Sequence, residues 1–108
     1  MSKKIDLKQV LETTGADAVL IADKDGNLIE AINVEHDKNI AAMTEMAFSM
    51  CRDLSSDLQN GDLDQLFAKS SNGFFIANKL NSEHILMLLS RDNSKLGLLL
   101  KLIGSISK

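Results

Sequence analysis

The chain has 108 residues, of which 44% are hydrophobic and 25% charged, with a formal net charge of -3. That length suits a single domain spanning 1–108, able to bury roughly two thirds of the surface its unfolded form exposes, and the composition excludes the low-hydrophobicity, high-charge pattern of disorder. The twelve basic residues are scattered and there is neither Trp nor Tyr, so no patch is suited to neutralising many phosphates or stacking on bases, and nucleic acid is excluded as an expected partner.

The first ten residues, "MSKKIDLKQV", carry charge where a signal peptide needs a continuous apolar run. Leu7, Val10, Leu11 and Thr14 then fall at i, i+3, i+4 and i+7 ahead of Gly15, which predicts a short helix closed by a left-handed glycine. "ADAVLIAD", Ala16 to Asp23, is a near-continuous apolar run of strand formers, as in a strand covered on both faces. After "KDGN", the alternation of Leu28, Glu30 and Ile32 with Ile29 and Ala31 predicts a second strand and hence a hairpin.

The longest helical segment runs from Asp37, read as its N-cap, to Asn60 and Gly61, read as its C-terminal cap pair. "LDQLFAKSS" (63–71) and "FFIANKL" (74–80) flank Asn72-Gly73, a hairpin signal read here as a type I′ turn. "HILMLLS", His84 to Ser90, predicts a second buried strand. Asp92, Asn93 or Ser94 can then cap a last helix with Leu96, Leu99, Leu100, Ile103 and Ile106 on one stripe. Its apolar block, "LGLLLKLIG", is broken by Lys101 and is about half the roughly 20 residues of a bilayer crossing. The expected fold is α+β, a five-stranded antiparallel sheet layered with helices in the order α-β-β-α-β-β-β-α.

The spacing of Asp23, Asp25 and Asn27 imitates the start of a calcium loop, yet an EF-hand begun at Asp23 would need glycine where Leu28 stands and glutamate where Val34 stands. The same residues suit a tight turn, in which Asp and Asn bond to backbone amides and Gly26 takes the left-handed position. His36 and His84 are far apart with no ligand partners at zinc spacing, so no metal is expected. Cys51, the single cysteine, cannot close an intrachain disulfide and lies on the apolar arc of the long helix as an inert thiol. Asp62 and Asp64 flank a strand start as solvated charge. No nucleophile elbow, phosphate loop or dinucleotide fingerprint is present, and the expectation is a cytoplasmic non-enzyme without cofactor.

The stronger signal is apolar surface. At 100° per residue, Ile40, Met43, Met46, Ala47, Phe48, Met50, Cys51, Leu54 and Leu58 occupy an arc of about 200°, wider than the roughly 100° stripe of an ordinary surface helix. Either a deep sheet face or a neighbouring helix of the same chain absorbs the whole arc, or one flank, methionine or Phe48, remains for a second subunit. If the two buried strands pair with each other, the 63–71 strand lies at an edge, where its backbone can pair with another chain. The candidate dimer interface is therefore Met43, Met46, Ala47, Met50 and Leu54 with Leu63, Gln65, Phe67 and Lys69.

In this order of elements the sequence resembles the roadblock family of dynein light-chain-like, small-GTPase-associated domains. The resemblance is carried by "GADAVLIADKDGNLIEA" (15–31), the long helix after "EHDKN", the Asn72-Gly73 hairpin and "DNSKLGLLLKLI", where Asn93 and Gly97 open the last helix. It implies the long helix on one sheet face and the terminal helices on the other, dimers formed through the long helix and third strand, and a non-catalytic adaptor or regulator that binds a small Ras-like GTPase or serves as a scaffold in a GTPase or motor complex. No residue matches an arginine finger; Arg52, on the polar side of the long helix, is a candidate partner contact beside its plainer reading as a solvated arginine. The alternative reading is a sensory domain of profilin-like shape holding a small ligand between sheet and helix, which requires a cavity with converging polar groups.

Overall fold

The computed structural model describes residues 5–106. Helix α1 (Leu7–Thr14) is followed by strands β1 (Ala18–Asp23) and β2 (Leu28–Ile32), helix α2 (Asp37–Asp57), strands β3 (Gln65–Ser70), β4 (Gly73–Lys79) and β5 (His84–Ser90), and helix α3 (Leu96–Ile106), entered through a 3-10 turn at Asn93–Lys95. All strand pairs are antiparallel, in the order β2-β1-β5-β4-β3. The expected element order and fold class are therefore observed, and the two apolar runs pair at the centre, Val19 opposite Leu88 and Ile21 opposite Leu86.

Both faces of those central strands are covered because alternate residues serve different helices. Val19, Ile21, Phe74, Ile76, Leu86 and Leu88 pack with Leu7 and Val10 of α1 and Leu99 and Ile103 of α3. Leu20, Ala22 and Met87 pack with Ala41, and Ala77 and Ile85 with Phe48, both from α2. The continuous apolar runs thus reflect two hydrophobic layers sharing one sheet.

The Asp-Gly hairpin is held by its first aspartate. Asp23 Oδ1 accepts from the backbone N–H groups of Asp25 and Asn27, each at 2.9 Å, Asp23 Oδ2 accepts from Asn27 Nδ2 at 3.2 Å, and Gly26 sits at φ 83°. The carboxylate that suggested a calcium ligand is engaged in turn closure. The Asn27 backbone bond, followed by the Asn27 side chain, Asp25 and the charge of His84, outweighs desolvation and holds the Asp23 carboxyl below its ordinary range. A carboxyl depressed on folding contributes stability above its unfolded pKa of about 4, lost as pH falls through the lower folded value. Asp23→Asn keeps an acceptor without the charge, so its urea midpoint should fall less steeply than the parent's between about pH 5 and about pH 2; matching pH slopes would remove Asp23 from the acid response.

Three local expectations need correction. The residue preceding α2 is His36, in the left-handed region at φ 55° with no side-chain cap bond, while Asp37 is the first helical residue and its Oδ1 accepts from Lys38 N–H at 2.9 Å. At the other end, α2 stops at Asp57, short of Asn60. Gln59 takes the left-handed position at φ 61°, with Gln59 N–H donating to Ser56 O and Asn60 N–H to Ser55 O, both at 2.9 Å. Those two bonds form a Schellman motif, so hydrogen-bond closure prevails over the conformational preference for Asn or Gly.

The β3–β4 turn is likewise not type I′. Ser70 pairs with Gly73, placing Ser71 and Asn72 at the centre, and Asn72 is not among the positive-φ residues. Gly73, at φ 147°, is needed because β5 passes closely: a Cβ there would lie 2.4 Å from Ser90 O. The glycine thus serves strand packing rather than the turn centre.

Candidate functional site

Helix α2 rests on the sheet through Ala41 and Phe48, seven residues and about two turns apart. Phe48 is 1% exposed. Successive helical residues are rotated by about 100°, so the side opposite this contact carries Met43, Met46, Met50 and Leu54. These four are 62%, 61%, 72% and 57% exposed, and Leu58 continues the apolar path beyond the helix end. Of the two flanks left open by the sequence, Phe48 is absorbed by the core and the methionine side faces outward. Ala47 and Cys51 are half-buried along the margin of this stripe. Leu58 lies on the same arc but falls outside the candidate set; its helical spacing from Leu54 was the available signal.

Strand β3 has β4 as its neighbour and otherwise forms an edge. Lys79 N–H donates to Asp64 O at 3.0 Å just before the strand. Continuing the antiparallel alternation from that pair directs the backbone N–H and C=O groups of Gln65, Phe67 and Lys69 away from β4. Their side chains share the sheet face of their partners Asn78, Ile76 and Phe74, which is the α1 and α3 face, whereas Leu66 packs under α2 beside Phe48. The structure therefore does not bring the Gln65, Phe67 and Lys69 side chains onto the methionine surface. What these residues present together is the strand edge. Gln65 Nε2 is engaged with Asn78 Oδ1 at 2.9 Å, Phe67 is half-exposed, and Leu63, before the strand, packs half-buried against the Phe48 cluster.

The two sheet edges differ in regularity. In β2, Ile21 pairs with Glu30 but Ala22 with Leu28, leaving Ile29 as the extra residue of a bulge. A bulge twists an edge and interrupts the ladder another strand would have to match. In β3 the register runs unbroken from Gln65 to Ser70. The regular edge is the better template.

Arg52 is exposed and donates through Nη2 to Ser49 Oγ at 3.2 Å, about 200° of helix rotation from Met50. It lies away from the methionine stripe. Among the described residues there is no group of three or more His, Cys, Asp and Glu placed to hold a metal, and no helix is long and apolar enough to cross a membrane. His84, the first residue of β5, has its Nδ1 3.0 Å from Asn81 Oδ1 in the preceding turn. An open depression of about 390 Å³ is lined by Ser70, Asn72, Phe75, Leu89 and Arg91 at the hairpin end of the sheet. It is not a chamber between sheet and helix of the kind a ligand-binding sensor needs.

A five-stranded antiparallel sheet with one long helix on one face and two terminal helices on the other places the molecule in the roadblock class of folds. The model of the Roadblock/LC7 domain family matches residues 3–90, and the chain belongs to that family. The match ends with β5, so the last helix, part of the sequence resemblance, lies beyond it. Among solved structures, MglB of Myxococcus xanthus is 18% identical with a TM-score of 0.82, over 92% of this chain and 83% of that one. The gliding protein MglB of Thermus thermophilus is 17% identical with a TM-score of 0.81, over 94% and 78% respectively. A Roadblock/LC7 domain of Streptomyces avermitilis is 14% identical with a TM-score of 0.67, over 83% of each chain. At these identities the likeness is one of fold. No curated protein matches the chain significantly by sequence.

Proposed function

We propose that this chain is a non-catalytic, homodimeric adaptor or regulator of a small Ras-like GTPase, or a scaffold in a GTPase or motor complex, acting in the cytoplasm. The observation that carries the reading is an outward apolar stripe, Met43, Met46, Met50 and Leu54, on a helix followed in sequence by a regular open strand edge. Contiguous exposed apolar surface of this kind marks an association site, and two copies related by a twofold axis bury the same patch on each other. Met43, Met46, Ala47, Met50 and Leu54 supply the side-chain contacts. The backbone of Gln65, Phe67 and Lys69 supplies strand pairing, and Leu63 supports the junction. Arg52, on another side of α2, remains available to a further partner. Family membership supports the GTPase assignment, because binding such GTPases is what the roadblock resemblance implies.

Light scattering on the eluting protein should give twice the chain mass at micromolar concentration. Capture experiments with GTP-loaded and GDP-loaded small GTPases of the source organism should retain at least one loaded form. A dimer that captures neither would remove the GTPase assignment while leaving self-association intact; a monomer would remove the interface itself.

A further inference from the structure

Three thioethers stand together on the exposed side of α2, Met43, Met46 and Met50, whereas Met87 is buried between sheet and helix at 6% exposure. Met43 to Met46 is three residues and Met46 to Met50 four, so the sulfurs belong to one helical stripe. We infer that this methionine stripe is an oxidation site for hydrogen peroxide, and that its conversion to sulfoxide dissociates the chain's self-association. The inference rests on the dimer proposed above and assigns that surface a form of regulation.

The reaction needs no catalytic residue. A sulfur lone pair attacks one peroxide oxygen, the O–O bond breaks as the S–O bond forms, and the departing hydroxide takes up the remaining proton to leave as water. Sulfur is oxidised by two electrons and the peroxide reduced by two. The product replaces a flexible apolar side chain with a polar, chiral one, a change that disrupts methionine-rich contacts. Leucine at these positions would supply comparable apolar area without this chemistry. In the assembled dimer the stripe is covered, so oxidation proceeds through the separated protomer and its rate follows the monomer fraction. Self-association thereby protects the sulfurs, and oxidation prevents re-association.

The test uses the full chain carrying Cys51→Ala, because the half-buried Cys51 thiol follows Met50 on the same helix. Dilute peroxide is applied at several protein concentrations, with sulfoxide located by peptide mass spectrometry and mass followed by light scattering. One added oxygen should accumulate at each of Met43, Met46 and Met50 ahead of Met87, more slowly as protein concentration rises. The dimer dissociation constant should rise at least about tenfold for a single sulfoxide, as expected for burial of one unpaired polar group. A chain with Met43→Leu, Met46→Leu and Met50→Leu should remain dimeric under the same peroxide. A dimer that persists with all three sulfurs oxidised, a rate independent of concentration, or a leucine variant that dissociates equally would overturn the inference. A Cys51→Ala chain and a parent chain both monomeric before peroxide would overturn the dimer reading and this one with it, whereas an oxidation-resistant dimer overturns this one alone.

Discussion

Replacing Met50 with aspartate should leave the protein folded and monomeric. Met50 is 72% exposed on the side of α2 away from the sheet, so the isolated protomer should lose no more than about 0.5 kcal/mol. In a twofold dimer the same substitution places two carboxylates in an apolar contact, and an uncompensated buried charge costs about 3–5 kcal/mol. Self-association should therefore weaken by at least about two orders of magnitude. Light scattering reads the mass and urea unfolding reads the stability. An unchanged dimer mass would move the interface off the methionine side, and a chain that no longer folds would mean that Met50 belongs to the core.

Phe48→Ala should have the opposite profile, although the residue lies only two positions from Met50. Its ring is buried against Ala77, Ile85, Leu63 and Leu66, and truncating a core phenylalanine leaves a cavity that costs about 3–5 kcal/mol. The urea midpoint should drop sharply. At urea concentrations where the variant remains folded, it should still associate, because the outward stripe is untouched. Met50→Ala provides the contrast, with little loss of protomer stability and a weaker dimer. If the two alanine variants prove equally destabilised, the division of α2 into a core side and an open side is wrong.

The difference between these neighbours shows where a helical wheel stops being informative. Periodicity places Phe48 and the methionines on one broad apolar arc, but a wheel has no sheet beneath it. The contact is chosen by side-chain fit: Ala41 allows α2 to approach Leu20 and Ala22, and Phe48, seven residues on, fills the space above Ala77 and Ile85. Once those two seat the helix, geometry turns Met43, Met46 and Met50 outward. The same limitation applies to β3. The Asn72-Gly73 hairpin signal locates the strand, but the pairing with Asn78, Ile76 and Phe74 decides that Gln65, Phe67 and Lys69 direct their side chains to the face opposite α2.

Local chemistry was sufficient wherever a short segment satisfies its own backbone. Gly15 closes α1 at φ 69°, Asp23 gathers the amides of Asp25 and Asn27, and the run His84–Ser90 is strand throughout. From the residues alone follow the order of elements, the α+β class and the buried centre of the sheet, because caps, turns and hydrophobic period act over a few residues. Only the tertiary structure decided which edge carries the Ile29 bulge, why Gly73 must be glycine, and which side of α2 is left open. Those depend on strand register and on the approach of β5 to the hairpin, distances between segments far apart in the chain that no local pattern encodes.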